Sequence, residues 1–546
     1  MMQDTDHQTP MESSQPSPSL PAPSTRRSGF FSAIILSPGA GLAASALAAL
    51  LMLLLRVVAG IPTPMELFGD FVLKHINTGT FLQLLQKFSP YPKLYPLGLA
   101  LLGMIALGTV LGILYAAIVR VKVPANSYRP GKNEWLTALA FSLVMTILAT
   151  VLFWNELRQN FFGLPTDLSR LTTIFGLLAD FVGYGVVLCL AYRAILPKVI
   201  VSGSTNEVAS KRRLMLSRAG VAVLSVGGLA GTAGFVRTFL DGYSSYDGDE
   251  TFPQHQVTPA ITTNADHYVV TQNPSDPTPN IDLWRLEVTG LVKNPGTYTF
   301  TEVQQLPSTS RPITLQCIAS GIGGHLISTA IWQGVTLRTL LEKHGGPASN
   351  ASYVAFSSVD GYTMSLPLDE VLMADALLAW RMNGVDIPYR HGYPMRVLIP
   401  GRYGEENPKW LTRVELTDHF VGGLYADQGW YNGPLHTMSR IDHPADPLPV
   451  GKAVEIGGIA FAGNRGIQMV EVSTDGGQIW HGASLQPPLS EDSWVFWAWQ
   501  WTPMLRGTYT LVCRATDGTG AIQTSHIQGT VPNGGTGYNH KTIQVM

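Results

Sequence analysis

Apolar residues are arranged in two unlike ways along the 546 residues, and the change comes near residue 237. Before it they form long runs, at roughly 33–58, 95–119, 135–154, 172–195 and 219–237, each about the length at which a helix crosses the hydrocarbon of a bilayer. Five membrane spans are expected. The stretch 65–88, MELFGDFVLKHINTGTFLQLLQKF, is amphipathic and interrupted at Asn77-Thr78-Gly79, which predicts a segment lying on the membrane surface. Beyond residue 237 the periods shorten. WRLEVTGLV alternates like a strand, Asn294-Pro295-Gly296 makes a turn, and GVTLRTLLEKHGG sets Leu337, Leu340, Leu341 and His344 at helical spacing with Gly345 as the cap. A mixed α+β domain is predicted from about 260 to 425. From about 445 the strands are short: Gln468, Val470 and Val472 alternate ahead of the turn Asp475-Gly476-Gly477, and Tyr509, Leu511, Cys513 and Ala515 alternate later.

Polar stretches and charge set the boundaries and the orientation. Residues 1–28, rich in Ser, Pro, Thr and Gln, are expected to be a disordered tail, and the Gly-, Ser-, Asp- and Pro-rich stretch that opens at 238 reads as a linker. With the amino terminus inside, the inner segments carry twelve Lys and Arg and the outer ones six, so five crossings leave the carboxyl region outside. The last run follows Ser210-Lys211-Arg212-Arg213-Leu214-Met215-Leu216, either a twin-arginine export signal set inside the chain or arginines that only serve the charge bias. Asp180 and Arg56 lie within apolar runs; the preferred reading has a neighbouring helix satisfying Asp180 and Arg56 snorkelling to the interface, over a buried pair or proton path. The first 240 residues contain only His7 and His75, neither in a span, so no haem held by paired intramembrane histidines is expected. A net charge of −2 without a basic stripe excludes nucleic acid as a partner.

One stretch carries candidate chemistry. Ile313-Thr314-Leu315-Gln316-Cys317 alternates, ends in a cysteine and opens into IASGIGGHLIST, which puts a thiol at a strand end where bare backbone can approach a bound group. On these residues alone, a small buried hydrophobe beside a glycine turn remains the alternative. The other cysteines, Cys189 and Cys513, lie in apolar or alternating runs, and no CxxC or CxxCH occurs, so neither a disulfide framework nor a c-type haem site is expected.

The ordered set HYVVTQNP, WRLEVTGLV, ITLQC, WQGVTLRTLL, SVDGYTMSLPL, LLAWRMNG and HGYPMRVLIPGRYGEENPKWLTRVEL, over roughly 262–425, resembles the molybdopterin domain of the sulfite oxidase family. The resemblance implies that Cys317 is the only protein ligand to a molybdenum ion, a role that suits a soft thiolate. It also implies that His391, Arg396 and Lys409 hold the pterin and its phosphate, and that Trp380 stands at a catalytic tyrosine position beside the substrate. The strand-rich end resembles the immunoglobulin-like domain that often makes a dimer in that family, with Trp480, Trp494, Trp497, Trp499 and Trp501 as packing residues.

The expected architecture is multi-domain: tail 1–28, a five-helix α-helical membrane bundle over 29–237, linker 238–261, an α+β molybdopterin domain over 262–440, and an immunoglobulin-like β-sandwich over 441–546. The expected function is that of a membrane-anchored molybdenum oxidoreductase of the bacterial cytoplasmic membrane, catalytic domain outside. It would transfer oxygen to or from a small-molecule substrate and exchange electrons with an external cytochrome, quinone or partner subunit, as a monomer or a homodimer. The alternative is a degenerate cofactor domain serving as a membrane-tethered scaffold. Efficient sulfite oxidation is not expected: Val270 stands where sulfite-oxidising members carry an arginine and Gln272 where they carry a histidine, and IASGIGGH lacks their arginine. His325 or Arg381 folding into the pocket would restore the charge.

Overall fold

The computed structural model describes residues 25–87, 94–200, 206–241, 258–273 and 276–546. Most of the expected tail and linker lies outside these residues. At their edges, helix already begins at Thr25 and the last apolar helix runs on to Asp241, into the stretch expected as linker.

The first half is helical: α1 (Thr25–Ala59), α2 (Pro64–His75), α3 (Thr78–Lys87), α4 (Leu94–Val119), α5 (Lys132–Leu152), α6 (Thr166–Ile195) and α7 (Glu207–Asp241). Among the described residues five helices, α1 and α4 to α7, are long and apolar enough to cross a membrane. The amphipathic stretch is the short pair α2 and α3, broken at Ile76-Asn77. Helix α1 packs against α4, α6 and α7. Small residues let the backbones touch: a Cβ on Gly41 would come within 2.7 Å of the Thr109 carbonyl, and one on Gly112 within 2.8 Å of the Gly41 Cα. Glu134 of α5 and Arg193 of α6 close one end of the bundle through a contact of 2.5 Å. Arg212 and Arg213 are exposed within the continuous helix α7.

The two intramembrane charges depart from the preferred reading. Asp180 is buried, and its Oδ1 has no hydrogen-bond partner among the described residues. Arg56 does not snorkel: its Nε reaches Glu66 Oε1 at 3.2 Å and its guanidinium lies over the Phe161 ring. Glu66 is also the N3 residue of the α2 capping box, accepting from the Thr63 backbone at 2.8 Å, so one carboxylate fixes the start of α2 to the end of α1.

The middle region holds β1 (Leu286–Gly290), β2 (Gly296–Tyr298), β3 (Thr309–Gln316), β4 (Ile327–Thr336), β5 (Tyr353–Ser358), β6 (Thr363–Pro367), β7 (Leu377–Met382), β8 (Val385–Asp386), β9 (Arg396–Leu398) and β10 (Leu411–Thr417). Short helices join them: α8 (Phe300–Gln304), α9 (Leu337–Lys343), α10 (Leu368–Met373) and α11 (Leu424–Asp427). One sheet runs β2-β1-β10-β5-β6, with β1 parallel to β10; the other runs β3-β4-β7-β8, with β9 on β7. In β1 the alternation is realised: Leu286 and Val288 are buried in the core with Trp284, while Glu287 is half-buried. Helix α9 is capped by Thr336 and ends at Lys343, with His344 at the C-cap and Gly345, the expected cap, one residue further on at φ +76°.

The last region is a two-sheet β-sandwich, formed by β11 (Met438–His443), β12 (Val454–Phe461), β13 (Ile467–Ser473), β14 (His481–Gly482), β15 (Ser484–Leu485), β16 (Val495–Trp501), β17 (Gly507–Asp517) and β18 (Asn539–Val545). The sheets β11-β12-β16-β15 and β14-β13-β17-β18 enclose Ile456, Val470, Trp497, Leu511 and Cys513. Trp494 packs with Ile318, Ile327 and Tyr403 at the junction with the middle region.

The helical half and the middle region dock through the turn before α6 and through α2. The Arg285 N–H donates to the Gly163 carbonyl at 3.1 Å, the Thr166 hydroxyl donates to Glu287 at 2.9 Å, and Gln428 Nε2 donates to the Leu73 carbonyl at 2.9 Å. A Cβ on Gly163 would meet the Trp284 ring at 2.6 Å, so this turn and the buried tryptophan approach as closely as bare backbone permits.

Candidate active site

Cys317 follows the last residue of β3, and its N–H donates to the Leu326 carbonyl at 2.9 Å, closing the glycine-rich loop behind it. The sandwich clamps that loop: Arg440 Nη1 donates to the Gly324 carbonyl at 2.7 Å, and a Cβ on Gly323, at φ +75°, would strike the Asn539 amide at 2.5 Å. The thiol is thus presented by backbone fixed from both sides. It is 6% exposed, and burial, reinforced by the Glu405 carboxyl, pushes it up to about 12. Metal coordination would be needed to hold such a thiol deprotonated.

Cys317 lines a cavity of ≈ 560 Å³ together with Arg396, Lys409 and Trp410. Arg396 starts β9 and is buried; its Nη1 and Nη2 donate to the carbonyls of His391 and Asn407, each at 3.1 Å, while its Nε has no hydrogen-bond partner among the described residues. Burial pulls Arg396 down to about 10. Lys409 reaches the carbonyls of Val270 at 3.3 Å and Arg390 at 3.1 Å and lies over the Trp410 ring. The turn that carries it is stapled by Asn407, whose Oδ1 accepts from the Ile399 N–H and whose Nδ2 donates to the Tyr403 carbonyl, both at 2.6 Å. Gly392, at φ +115°, holds a backbone conformation that strains any side chain, and a Cβ there would press on its neighbours, 3.0 Å from Lys409 Cβ and 3.1 Å from Arg396 Cβ.

Two expected site residues stand elsewhere. His391 is not on the cavity wall; it is buried behind Arg396, its Nε2 2.8 Å from the Asn264 carbonyl, and burial pulls it down to about 3. Its contribution is the carbonyl that orients Arg396. Trp380 is corrected outright. Along β7, Leu377 and Ala379 pack on the face shared with Cys317, whereas Leu378 and Trp380 pack on the opposite face, in the core with Trp284 and Trp410. The two-residue period of the strand therefore turns Trp380 away from the site. Arg381 is exposed and pairs with Asp386 at 3.6 Å, and neither it nor His325 lines the cavity.

Sequence reasoning missed part of the wall. His267 is buried, edge-to-face with His391, and its Nε2 has no partner among the described residues; a lone histidine ahead of the run YVV was the available signal. Glu405 adds a carboxyl that burial and the adjacent Glu406 push well above the usual range. The largest omission is that α2 and the turn after α5 supply the far wall, including Asp70 and Gln159. No local pattern in the sequence reports such a contact.

Comparison with known proteins identifies two domains. Residues 274–425 match the oxidoreductase molybdopterin binding domain, and residues 436–532 match the Mo-co oxidoreductase dimerisation domain. The chain is 27% identical over 310 residues to sulfite oxidase of Arabidopsis thaliana, covering 46% of this chain and 78% of that protein. It is 28% identical over 316 residues to nitrate reductase [NADH] 2 of Phaseolus vulgaris, covering 46% of this chain and 35% of that one, so it spans about a third of the length of that relative. The solved structure of the sulfane dehydrogenase SoxCD from Paracoccus pantotrophus aligns over 54% of this chain and 83% of that one, at 23% identity and a TM-score of 0.48. In class, the chain is a molybdopterin-dependent oxidoreductase. It is homologous to sulfite oxidase and nitrate reductase over the region these domains occupy, and the molybdopterin binding domain implies a cofactor of molybdenum carried by molybdopterin.

The residues present suit that group. Arg396, Arg390 and Lys409 line one cavity, as an anionic phosphate requires, and the orphaned Nε of buried Arg396 leaves a donor for it. Cys317 supplies one soft donor on the same wall, beside Gly404, where a Cβ would strike the Tyr268 hydroxyl at 2.6 Å.

Proposed function

We propose that this chain is a membrane-anchored oxidoreductase, its catalytic domain on the extracytoplasmic side, that moves an oxygen atom to or from a small substrate other than sulfite. The observation that carries this reading is that Cys317, Arg396 and Lys409 line one cavity. Cys317 would be the protein's ligand to the metal, and Arg396 and Lys409 would hold the pterin phosphate, with His391 orienting Arg396 through its carbonyl. The bound cofactor supplies a centre that changes oxidation state by two while oxygen is transferred. Around it the chain excludes water with Leu315, Ile318 and Trp410 and keeps the thiol side fixed through the clamped loop.

Substrate charge follows from the wall. Val270 stands on the cavity with the buried carboxyl of Glu405, and the cations beside them are those assigned to the cofactor. A dianion such as sulfite gains little there, whereas a neutral S-oxide or N-oxide loses nothing. Sidedness rests on the twelve-to-six Lys and Arg bias across five spans, and the run at Arg212-Arg213 suits export of an already folded domain. The sandwich, by its dimerisation-type match, suits a homodimer, and electrons are exchanged with an external carrier.

Metal analysis of full-length protein expressed with ample cofactor tests the reading: about one molybdenum per chain is expected, and none would overturn it. A high kcat/KM for sulfite with an artificial electron acceptor would overturn the substrate assignment. Protease added to intact spheroplasts should remove the region beyond residue 240; full protection would reverse the sidedness.

A further inference from the structure

The cavity has a second end. Phe68 and Leu73 of α2 and Leu97 and Ala100 near the start of the α4 span line it, and Phe68 is 51% exposed, so the apolar wall opens at the level where the spans begin. Where this wall meets the polar one, two amide–carboxyl pairs face the same space, one from each half of the molecule. Gln159 is 2% exposed and its Nε2 donates to Asp70 Oδ2 at 2.8 Å; Gln272 Nε2 lies 3.5 Å from Asp360 Oδ2. Each amide directs its NH2 group to a carboxyl, and each is left with a buried carbonyl oxygen, Gln159 Oε1 and Gln272 Oε1, that has no hydrogen-bond partner among the described residues. Buried acceptors of this kind call for a donor brought by a ligand.

We propose that this end of the cavity binds a membrane quinol, an inference that rests on the oxidoreductase reading and names its electron carrier. A ring with a hydroxyl at each end supplies two O–H donors for the two orphaned oxygens, and its apolar tail fits the wall formed by α2 and α4. An acyl chain would leave both oxygens unpaired. In the reducing direction both O–H bonds of the quinol would break; Asp70 and Asp360 would take the two protons, the bound cofactor would supply the acceptor for the two electrons, and the ring would leave as quinone. With an S-oxide as the oxidised substrate, quinol and S-oxide give quinone, sulfide and water. Burial pushes Asp70 up to about 7, the range in which a carboxyl takes and releases protons near neutrality.

The test is equilibrium binding of decylubiquinone to the full-length holoprotein in nanodiscs, read by quenching of tryptophan fluorescence, since Trp410 and Trp430 line the cavity. Gln159→Leu, which removes an acceptor, and Leu97→Trp, which narrows the apolar wall, should each weaken binding about tenfold or more. Molybdenum per chain serves as the control for folding. Wild-type affinity in both molybdenum-loaded variants overturns the proposal. So does equal competition by decylbenzene, which has the tail without the oxygens, or a copurifying phospholipid that the quinone does not displace. Saturable binding by a wild-type chain that holds no molybdenum would support the site and count against the oxidoreductase reading instead.

Discussion

Cys317 and Cys513 are both buried free thiols, and burial pushes each of them up to about 12. Cys513 lies within β17, paired across to Val472 and packed between the two sheets of the sandwich with Ile456 and Leu511. Cys317 lies one residue past the end of β3, and its open side is a cavity shared with Arg396 and Lys409. Burial alone makes a thiol inert. What separates the two is the space in front of Cys317 and the cations across it.

Substitution by serine at both sites draws the sharpest contrast. Cys317→Ser should abolish turnover while leaving the thermal transition nearly in place, because a harder and far less acidic hydroxyl replaces the metal's ligand at the edge of a cavity. Cys513→Ser should do the reverse, costing about 1–2 kcal/mol in a urea titration of the sandwich for a buried hydroxyl, with molybdenum content unchanged. Wild-type turnover in Cys317→Ser, or molybdenum loss in Cys513→Ser, would erase the distinction.

A pair of arginines gives the next largest effect. Arg396→Met removes the donors to the His391 and Asn407 carbonyls and the charge on the cavity wall, so molybdenum retained after extensive dialysis should fall about tenfold or more. Arg381→Met removes only an exposed pair with Asp386, worth under about 1 kcal/mol, and should leave retention unchanged. Equal loss in both would mean that the cofactor senses overall charge and not the geometry of Arg396.

The smallest effect is a pH dependence confined to the sandwich. Burial by itself would raise the Asp517 carboxyl, but the Thr519 hydroxyl and Arg465, with Nε 2.9 Å from Oδ2, hold it down at about 2. Its folded value lies below the unfolded one of about 3.9, so its contribution is present above that value and is lost as pH falls toward 2. The stability gap between wild type and Asp517→Asn should therefore close over that window. A gap that stays constant from pH 5 to 2 would remove the assigned partners.

The helical half was legible because period and length report it directly: the five runs became α1 and α4 to α7, and the interrupted stretch became α2 and α3. Strand β3 with Cys317 at its end, and helix α9, were legible for the same local reason. Trp380 misled because motif alignment gives an order along the chain, whereas the face of β7 on which a side chain emerges depends on pairing with β4 and β9. Asp70 and Gln159 were invisible, since nothing local in LFGDFVL or ELRQNFF says that these segments will meet Asp360.

The docking of α2 against the middle region, through Gln428 and Leu73, makes the cavity the joint product of two distant stretches of the chain. A substitution in α2 or at Gln159 therefore reshapes the cavity from outside the molybdopterin binding domain, so the membrane half can tune what the cavity admits while every residue of that domain stays the same.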